Sequence, residues 1–202
     1  MLRFSVRGLP RRQLGFNLIE LMIGIAIFGF LMVVALPAFT TFLQNSKIKN
    51  AAETTIHGIN VARAEAVRRN APVRFQLVST LTSACALSAS SLNWVVSLTD
   101  PTGGCDATPG GGNIVQTKSG TEGTDTVVVS TTGGSSLVFN GLGRVIGAGI
   151  TQMMFTNPAG GACVHVDATN GTMRCLRIDV STSGSAKICD PKVTDATDPR
   201  FC

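Results

Sequence analysis

The feature that most constrains this chain is an apolar segment at residues 18–36, in which Glu20 is the one charged side chain. At about 1.5 Å of rise per residue, a helix of this length crosses most of the hydrocarbon core of a bilayer. An unpaired charge at the centre of that core costs at least ~2.5 kcal/mol. The sequence therefore predicts a membrane-spanning helix whose Glu20 needs a partner of opposite charge.

The residues before this segment predict its orientation. Arg3, Arg7, Arg11 and Arg12 precede it, and no acidic residue lies among them. Because cytoplasmic flanks carry an excess of Lys and Arg, residues 1–15 are expected in the cytoplasm and the rest of the chain on the other side. A cleaved secretory signal ends in a pattern of small residues after the apolar run. No clear A-x-A pattern follows here, so the segment is expected to stay attached.

The stretch GFNLIEL at residues 15–21 resembles the type IV prepilin signature. The resemblance implies that a prepilin peptidase cuts after Gly15 and methylates the new N-terminal residue, Phe16. It also implies that the amine of Phe16 lies near Glu20 of a neighbouring subunit in an assembled filament. A carboxylate and an ammonium buried together are far cheaper than either alone, so this contact would supply the missing partner. A plain signal anchor with an incidental glutamate is the alternative.

Three further stretches resemble the GspH/FimT branch of minor pilins and pseudopilins. They are VARAEAVRRNAPV at 61–73, FNGLGR at 139–144, and RCLRI at 174–178 leading to CDP at 189–191 and DPRFC at 198–202. The resemblance implies a minor pilin that is incorporated into a type IV pilus or primes it. A type II secretion pseudopilin of the GspH type and a DNA-uptake receptor of the FimT type are the alternatives.

The same resemblance implies partners and a location. The expected partners are major and minor pilin subunits, the prepilin peptidase and the inner-membrane assembly platform, with weak binding of double-stranded DNA under the third alternative. The expected location is the bacterial inner membrane, as a single-pass protein with its head in the periplasm, and afterwards a pilus or pseudopilus filament.

Beyond the apolar segment the sequence predicts more helix and then a β head. Small and apolar side chains recur at three- and four-residue steps, which is the pattern of an amphipathic helix: Ile48, Ala52, Thr55, Ile59, Ala62 and Ala66. Pro72 is expected to stop this helix near Asn70. We therefore expect a leader at 1–15, a long helix at 16–71 and a head at 72–202. The helix divides into a membrane or filament-core half at 16–37 and an amphipathic half at 38–71, with its weakest part between Gly29 and Pro37.

Short apolar runs separated by glycine-rich turns predict the strands of the head. The runs cover residues 73–78, 93–98, 126–129, 136–139, 152–155 and 173–178, whereas 83–112 is a long stretch without clear structure. The predicted fold class is α+β: a long N-terminal helix, with a membrane-spanning half and an amphipathic half, packed on an antiparallel β-sheet head.

Six cysteines, all beyond the apolar segment, indicate disulfides rather than a metal site. An even count in an exported β domain favours disulfides, although six cysteines permit 15 pairings. Pairing between neighbours in sequence is the simplest for local loops, and it predicts Cys85–Cys105, Cys163–Cys175 and Cys189–Cys202. There is no C-x-x-C pair and the two histidines, His57 and His165, are far apart in sequence, so no metal or other cofactor is predicted.

Charge and motifs weigh against catalysis and against bulk binding of nucleic acid. The formal net charge of +5 includes the four leader arginines, and residues 75–202 carry seven basic against nine acidic side chains. A nucleic-acid binder usually shows a basic surface, which this head lacks as a whole. No nucleophile elbow, Walker loop or recognisable carboxylate pair occurs, so the chain is not predicted to be an enzyme.

A local DNA site stays open as a hypothesis. Some FimT-like proteins use a glycine-arginine-x-arginine motif on a C-terminal loop, and the matching stretch here is GSAK at 184–187. The candidate DNA-binding residues are Lys187, Lys192 and Arg200. Three carboxylates, at 190, 195 and 198, offset these three cations. At most weak, salt-sensitive binding is expected.

Overall fold

The computed structural model of the protein describes residues 17–164, 166 and 170–202, so the predicted cleavage site at Gly15 and Phe16, and His165, lie outside the described residues. The chain divides into two compact units, Met1–Phe39 and Thr40–Cys202. Helix α1 spans Leu18–Arg69 and passes through Pro37 without a break.

In the first unit, α1 is apolar on all sides. The large apolar side chains reported between Leu18 and Leu36 are 43–73% exposed. Its most apolar 18-residue window has a mean hydropathy of 2.6, and the helix is long enough to cross a membrane. A helix that is apolar all round needs lipid or other helices to cover it.

In the second unit, α1 buries the face that its periodicity predicts. All six of the side chains singled out above, from Ile48 to Ala66, are at most 2% exposed. The helix ends at Arg69, and Asn70 adopts a positive φ of 47°. The Ala71 amide donates to the Ala66 carbonyl and the Asn70 amide to the Val67 carbonyl, both at 3.2 Å. These two bonds form a Schellman cap, in which asparagine takes the position where glycine is commoner.

Eight strands form two antiparallel sheets. They are β1 (Val73–Leu77), β2 (Trp94–Ser97), β3 (Ile114–Lys118), β4 (Val128–Thr132), β5 (Ser136–Phe139), β6 (Gln152–Thr156), β7 (Leu176–Val180) and β8 (Ala186–Cys189). One sheet has the order β3-β2-β1-β5 and the other β4-β6-β7-β8. The predicted fold class, a long helix with an antiparallel β head, is confirmed.

Strands β3 and β8 were not predicted from the sequence. In β3 only Ile114 is fully buried, and in β8 only Cys189 is. With one fully buried residue each, these two strands lack the alternation of apolar and polar side chains by which a strand is recognised in a sequence.

The main core lies between the helix and the strands and includes the Cys163–Cys175 disulfide, whereas Cys85 and Cys105 belong to a second, smaller cluster. Phe75 and Trp94 pack with ring centroids 5.9 Å apart, and both are at most 1% exposed. The prediction of disulfides is confirmed. The bridges are Cys85–Cys105, Cys163–Cys175 and Cys189–Cys202, each between cysteines that are neighbours in sequence. No group of residues that could hold a metal occurs in the described part of the chain.

Candidate functional site

Glu20 lies in the first turn of α1, which is where a carboxylate suits a helix. The Glu20 and Leu21 amides donate to the Asn17 carbonyl at 3.0 and 3.2 Å, so Asn17 occupies the position just before the helix. A negative charge in the first turn interacts favourably with the helix dipole. The Glu20 side chain is exposed and has no hydrogen-bond or ion-pair partner among the described residues.

Two of the family-like stretches meet at the end of α1. In the turn after β5, the Asn140 side chain accepts hydrogen bonds from the Leu142 and Arg144 amides, both at 3.0 Å. A Cβ at Gly141 would lie 2.4 Å from Asn70 Oδ1, so only glycine allows this approach. The turn therefore packs directly on the helix cap. Gly141 therefore serves the packing of the turn on the helix.

Two further contacts fix the same turn. One joins it to α1 at Arg63, and the other joins it to the loop that contains Gly184. Arg63 Nε donates to the Gly143 carbonyl at 3.2 Å. A Cβ at Gly184, whose φ is +84°, would lie 1.9 Å from the Gly143 oxygen. Gly184 is the glycine of the GSAK stretch, and here it has a packing role.

Near the C-terminal end of α1, an ion-pair cluster shifts the pKa of one carboxyl group. Arg68 donates two hydrogen bonds of 2.7 Å to the Glu65 carboxylate, and Arg69 donates another. The bonds from Arg68, together with those from Arg69, outweigh desolvation and hold the pKa of Glu65 at about 2. Two of the arginines in the helix-end stretch are thereby committed within the chain.

The structure also engages two of the three candidate DNA-binding cations. Lys187 lies in strand β8 and not in a loop, and its Nζ donates to the Phe201 carbonyl at 2.9 Å. Arg200 donates to Asp198 at 2.7 and 3.1 Å, and these bonds hold the pKa of Asp198 at about 2. The Lys192 side chain is exposed. Of the three residues, Arg200 has its charge matched by a carboxylate, and Lys187 donates to a backbone carbonyl.

A groove of about 530 Å³ lies between α1 and this C-terminal region. Phe42 from α1, Leu176 from β7 and Ile188 from β8 give it apolar walls. The guanidinium groups of Arg174 and Arg200 also line it. The sequence did not predict this groove, although RCLRI at 174–178 and DPRFC at 198–202 were noted as family-like stretches. Only folding brings them beside Phe42.

Buried contacts hold the wall of the groove in place. Arg174 pairs with Asp190, whose side chain is 3% exposed. The Arg174 amide donates to Asn45 Oδ1 on α1 at 2.7 Å, and the Asp190 amide donates to the Arg200 carbonyl at 2.8 Å. Removing one partner of a buried ion pair leaves an uncompensated charge, so the pair ties Arg174 to Asp190 in this fold. The groove is therefore a preformed feature of the second unit.

Two family models match the chain. The model described as type II transport protein GspH matches residues 51–184, which is more than half of the chain. The chain belongs to the GspH family. The model described as the prokaryotic N-terminal methylation motif matches residues 10–36. The first match covers the helix-end stretch and the head as far as residue 184, and the second covers the segment with Glu20. The prediction of a GspH/FimT-like pilin is thereby confirmed.

Two solved structures are also similar to the chain. Two crystal structures of the type IV minor pilin FimU from Pseudomonas aeruginosa strain PAO1, in space groups P21 and P65, resemble this member of the GspH family. Their TM-scores are 0.48 and 0.43, with 13% and 14% sequence identity. The matches cover 77% and 73% of this chain and 97% of each FimU chain. No curated protein matches the chain in sequence.

Family membership defines the protein as a pilin-like structural component. Its N-terminal apolar helix and methylation motif suit anchoring in a membrane and packing in a filament. As a pilin-like chain it interacts with other pilins. The GspH family is a family of structural subunits, in line with the absence of a recognisable catalytic motif in the sequence.

Proposed function

We propose that the chain is a minor pilin that is inserted in the bacterial inner membrane, with its head in the periplasm, and then incorporated into a type IV pilus or used to prime it. The observation that carries the proposal is the methylation motif joined to a GspH-family head on one chain. A prepilin peptidase would cut after Gly15 and methylate Phe16. The assembly platform of the inner membrane would then transfer the subunit to the filament.

The carboxylate of Glu20 supports the proposal that the apolar segment at residues 18–36 functions in filament assembly. It is the one charged side chain of residues 18–36 and has no partner among the described residues. A carboxylate in that setting is expensive in lipid unless an ammonium group accompanies it. The free amine of Phe16 on a neighbouring major or minor pilin would be that group. Assembly thus removes an electrostatic cost that the isolated subunit carries in the membrane.

A type II secretion pseudopilin is the second candidate, and the description of the matching family favours it. Both functions use the same leader, the same helix and the same carboxylate. They differ in which filament takes up the subunit. A deletion strain would distinguish them: loss of surface pili with normal secretion supports the pilus, and loss of type II secretion with normal pili supports the pseudopilus.

The test of the proposal uses two substitutions in the N-terminal segment. A side chain at Gly15 should block the approach of the peptidase, so Gly15→Val should leave the longer precursor on a gel. Glu20→Val should still be cut, but should be lost from sheared filaments. Leu14→Val and Met22→Val are matched controls that change neither the glycine nor the charge. Normal processing of Gly15→Val would contradict the prepilin assignment.

A FimT-type DNA receptor is the third candidate, and the charges near Lys187, Lys192 and Arg200 do not favour it. Lys187 and Arg200 already bind acceptors of the same chain. Phosphate contacts provide most of the affinity of nonspecific DNA binding, and each contact needs an available cation. We therefore place double-stranded DNA below other pilins as a partner.

A further inference from the structure

The turn at 140–144 presents a large apolar side chain to solvent from a rigid support. Leu142 is 77% exposed, the highest value among the large apolar side chains described in the second unit. Besides the bonds to the Asn140 side chain, the Gly143 amide donates to the Asn140 carbonyl at 2.8 Å, and the Asn140 amide to the Arg144 carbonyl at 2.9 Å. A preorganised surface loses little conformational entropy on binding, so an apolar side chain held in this way suits recognition.

Two more exposed apolar side chains lie beside this turn. A Cβ at Gly143 would lie 3.1 Å from Val67 Cγ2, so Val67, which is 52% exposed, borders the turn on the helix side. Ile146 follows the turn and is 41% exposed, and its amide donates to the Val138 carbonyl of β5 at 2.9 Å. Side chains two residues apart in an extended segment lie on the same side, so Ile146 shares its side with Arg144.

Two arginines at this place have no carboxylate partner among the described residues. Arg63 Nε donates to the Gly143 carbonyl, which is a neutral acceptor, and a guanidinium group has four further N–H donors. The exposed Arg144 side chain has no hydrogen-bond or ion-pair partner in the described part of the chain. The neighbouring Arg68 differs, because its charge is matched by Glu65. The positive charges of the first two arginines are therefore available to a partner.

These five side chains form what we call the turn patch: Arg63, Val67, Leu142, Arg144 and Ile146. A nucleic acid gains its affinity from many phosphate contacts, and two cations supply few of them. A small anion would leave the three apolar side chains uncovered. A protein surface that offers carboxylates beside apolar carbon can contact all five, since protein interfaces combine buried apolar contacts with complementary charge.

We propose that the turn patch is the surface by which the head binds a neighbouring pilin, whose carboxylates pair with Arg63 and Arg144 and whose apolar carbon covers Leu142. The inference rests on the proposed function as a filament subunit and names a surface on which that subunit meets its neighbour. It is separate from the contact between Phe16 and Glu20, because the turn patch lies on the head.

The test places the photocrosslinking amino acid p-benzoylphenylalanine at position 142 of the full-length chain, in the bacterium that produces it. Because Leu142 is largely exposed, the replacement should leave the fold intact. Ultraviolet light should then join the chain to another pilin, and mass spectrometry should locate the attachment in a stretch that contains Asp or Glu. The absence of an adduct, or an adduct with lipid or nucleic acid in place of a pilin, would refute the proposal.

Charge reversal tests the role of the arginines. Arg144→Glu should lower the yield of the pilin adduct roughly tenfold, because like charges would then face one another across the interface. Lys192→Glu is the matched control, since Lys192 is another exposed cation that is not part of the turn patch, and it should leave the yield unchanged. Replacing the partner's carboxylate by lysine should restore the yield with Arg144→Glu. A yield that Arg144→Glu does not lower would refute the proposal.

Sheared pili distinguish a failure of this inference from a failure of the proposed function. If the unaltered chain is recovered in sheared pili but position 142 gives no pilin adduct, the turn patch is refuted and the proposed function stands. If the chain is missing from pili but position 142 still gives the charge-dependent adduct, the turn patch stands and the proposed function is refuted.

Discussion

Replacing Gly58, in the middle of α1, by alanine should have two opposing effects on the stability of the fold. Alanine is favoured over glycine by about 1 kcal/mol inside a helix. A Cβ at Gly58, however, would lie 2.9 Å from Phe75 Cε2 and 3.0 Å from Trp94 Cδ2 and Cε2. Both rings are at most 1% exposed, so neither can move into solvent. Packing, and not helix propensity, should decide the result of Gly58→Ala.

The magnitude follows from the two terms. Overpacking a filled core costs about 1–3 kcal/mol, and here two aromatic rings must shift for one methyl group, which favours the upper part of that range. After the gain in helix propensity, Gly58→Ala should lower the free energy of unfolding by about 1–2 kcal/mol. For a unit of this size that is a decrease in Tm of about 2–8 °C.

The assay is thermal unfolding of the full chain in detergent, followed through the fluorescence of Trp94, the one tryptophan. Asn60→Ala is the matched control, because Asn60 is an exposed position of the same helix two residues further on. It should keep or slightly raise the transition midpoint through helix propensity alone. A midpoint for Gly58→Ala that rises together with that of Asn60→Ala would refute the packing argument.

Three other predictions concern the head. The pKa of Glu65 is lowered from 4.5 to about 2, so its ion pairs stabilise the fold above pH 4.5 and lose this effect as the pH falls toward 2. In a plot of unfolding free energy against pH, Glu65→Gln should therefore reduce the slope between these two pH values. Replacing both Cys189 and Cys202 by serine should lower the free energy of unfolding, measured by urea denaturation, by about 3 kcal/mol. The double substitution removes the disulfide that closes the C-terminal loop, whose cysteines are 13 residues apart. In a gel-shift titration at physiological salt, the chain should bind double-stranded DNA weakly, and Lys187→Ala should change the affinity little. Ser185→Arg combined with Lys187→Arg should strengthen the binding. Tight binding that Lys187→Ala abolishes would contradict this prediction.

Strong periodicity made some elements predictable from sequence, and weak periodicity hid others. The helix face from Ile48 to Ala66 repeats at three- and four-residue steps, and it is buried as expected. Strand β1 at Val73–Leu77 alternates clearly and was predicted within one residue. Strand β8 at Ala186–Cys189 has one fully buried residue, and its hydrogen-bonding partner β7 sets its conformation. An edge strand of this kind carries little signal of its own.

The family-like stretches show the same division. The sequence marked FNGLGR at 139–144 as family-like, but it did not reveal that Gly141 lies against Asn70 or that the Gly143 carbonyl accepts a hydrogen bond from Arg63. Close approach of two backbones is a property of the fold, and glycine only permits it. The groove was missed for the same reason, since its walls come from residues as far apart as Phe42 and Arg200.

The sequence by itself determined the membrane-length helix, the place of Glu20 in it, the class of the head and the presence of disulfides among the six cysteines. These properties depend on local composition, on length and on periodicity, which the chain carries before it folds. Only the tertiary structure decided which charges remain free. Lys187, Arg200, Arg68 and Arg69 are equal cations in the sequence, but the fold gives each an acceptor. The partners of Arg68, Arg69 and Arg200 lie two to four residues away, whereas Lys187 and Arg174 reach acceptors 14 and 16 residues away, and those distances exist only after folding.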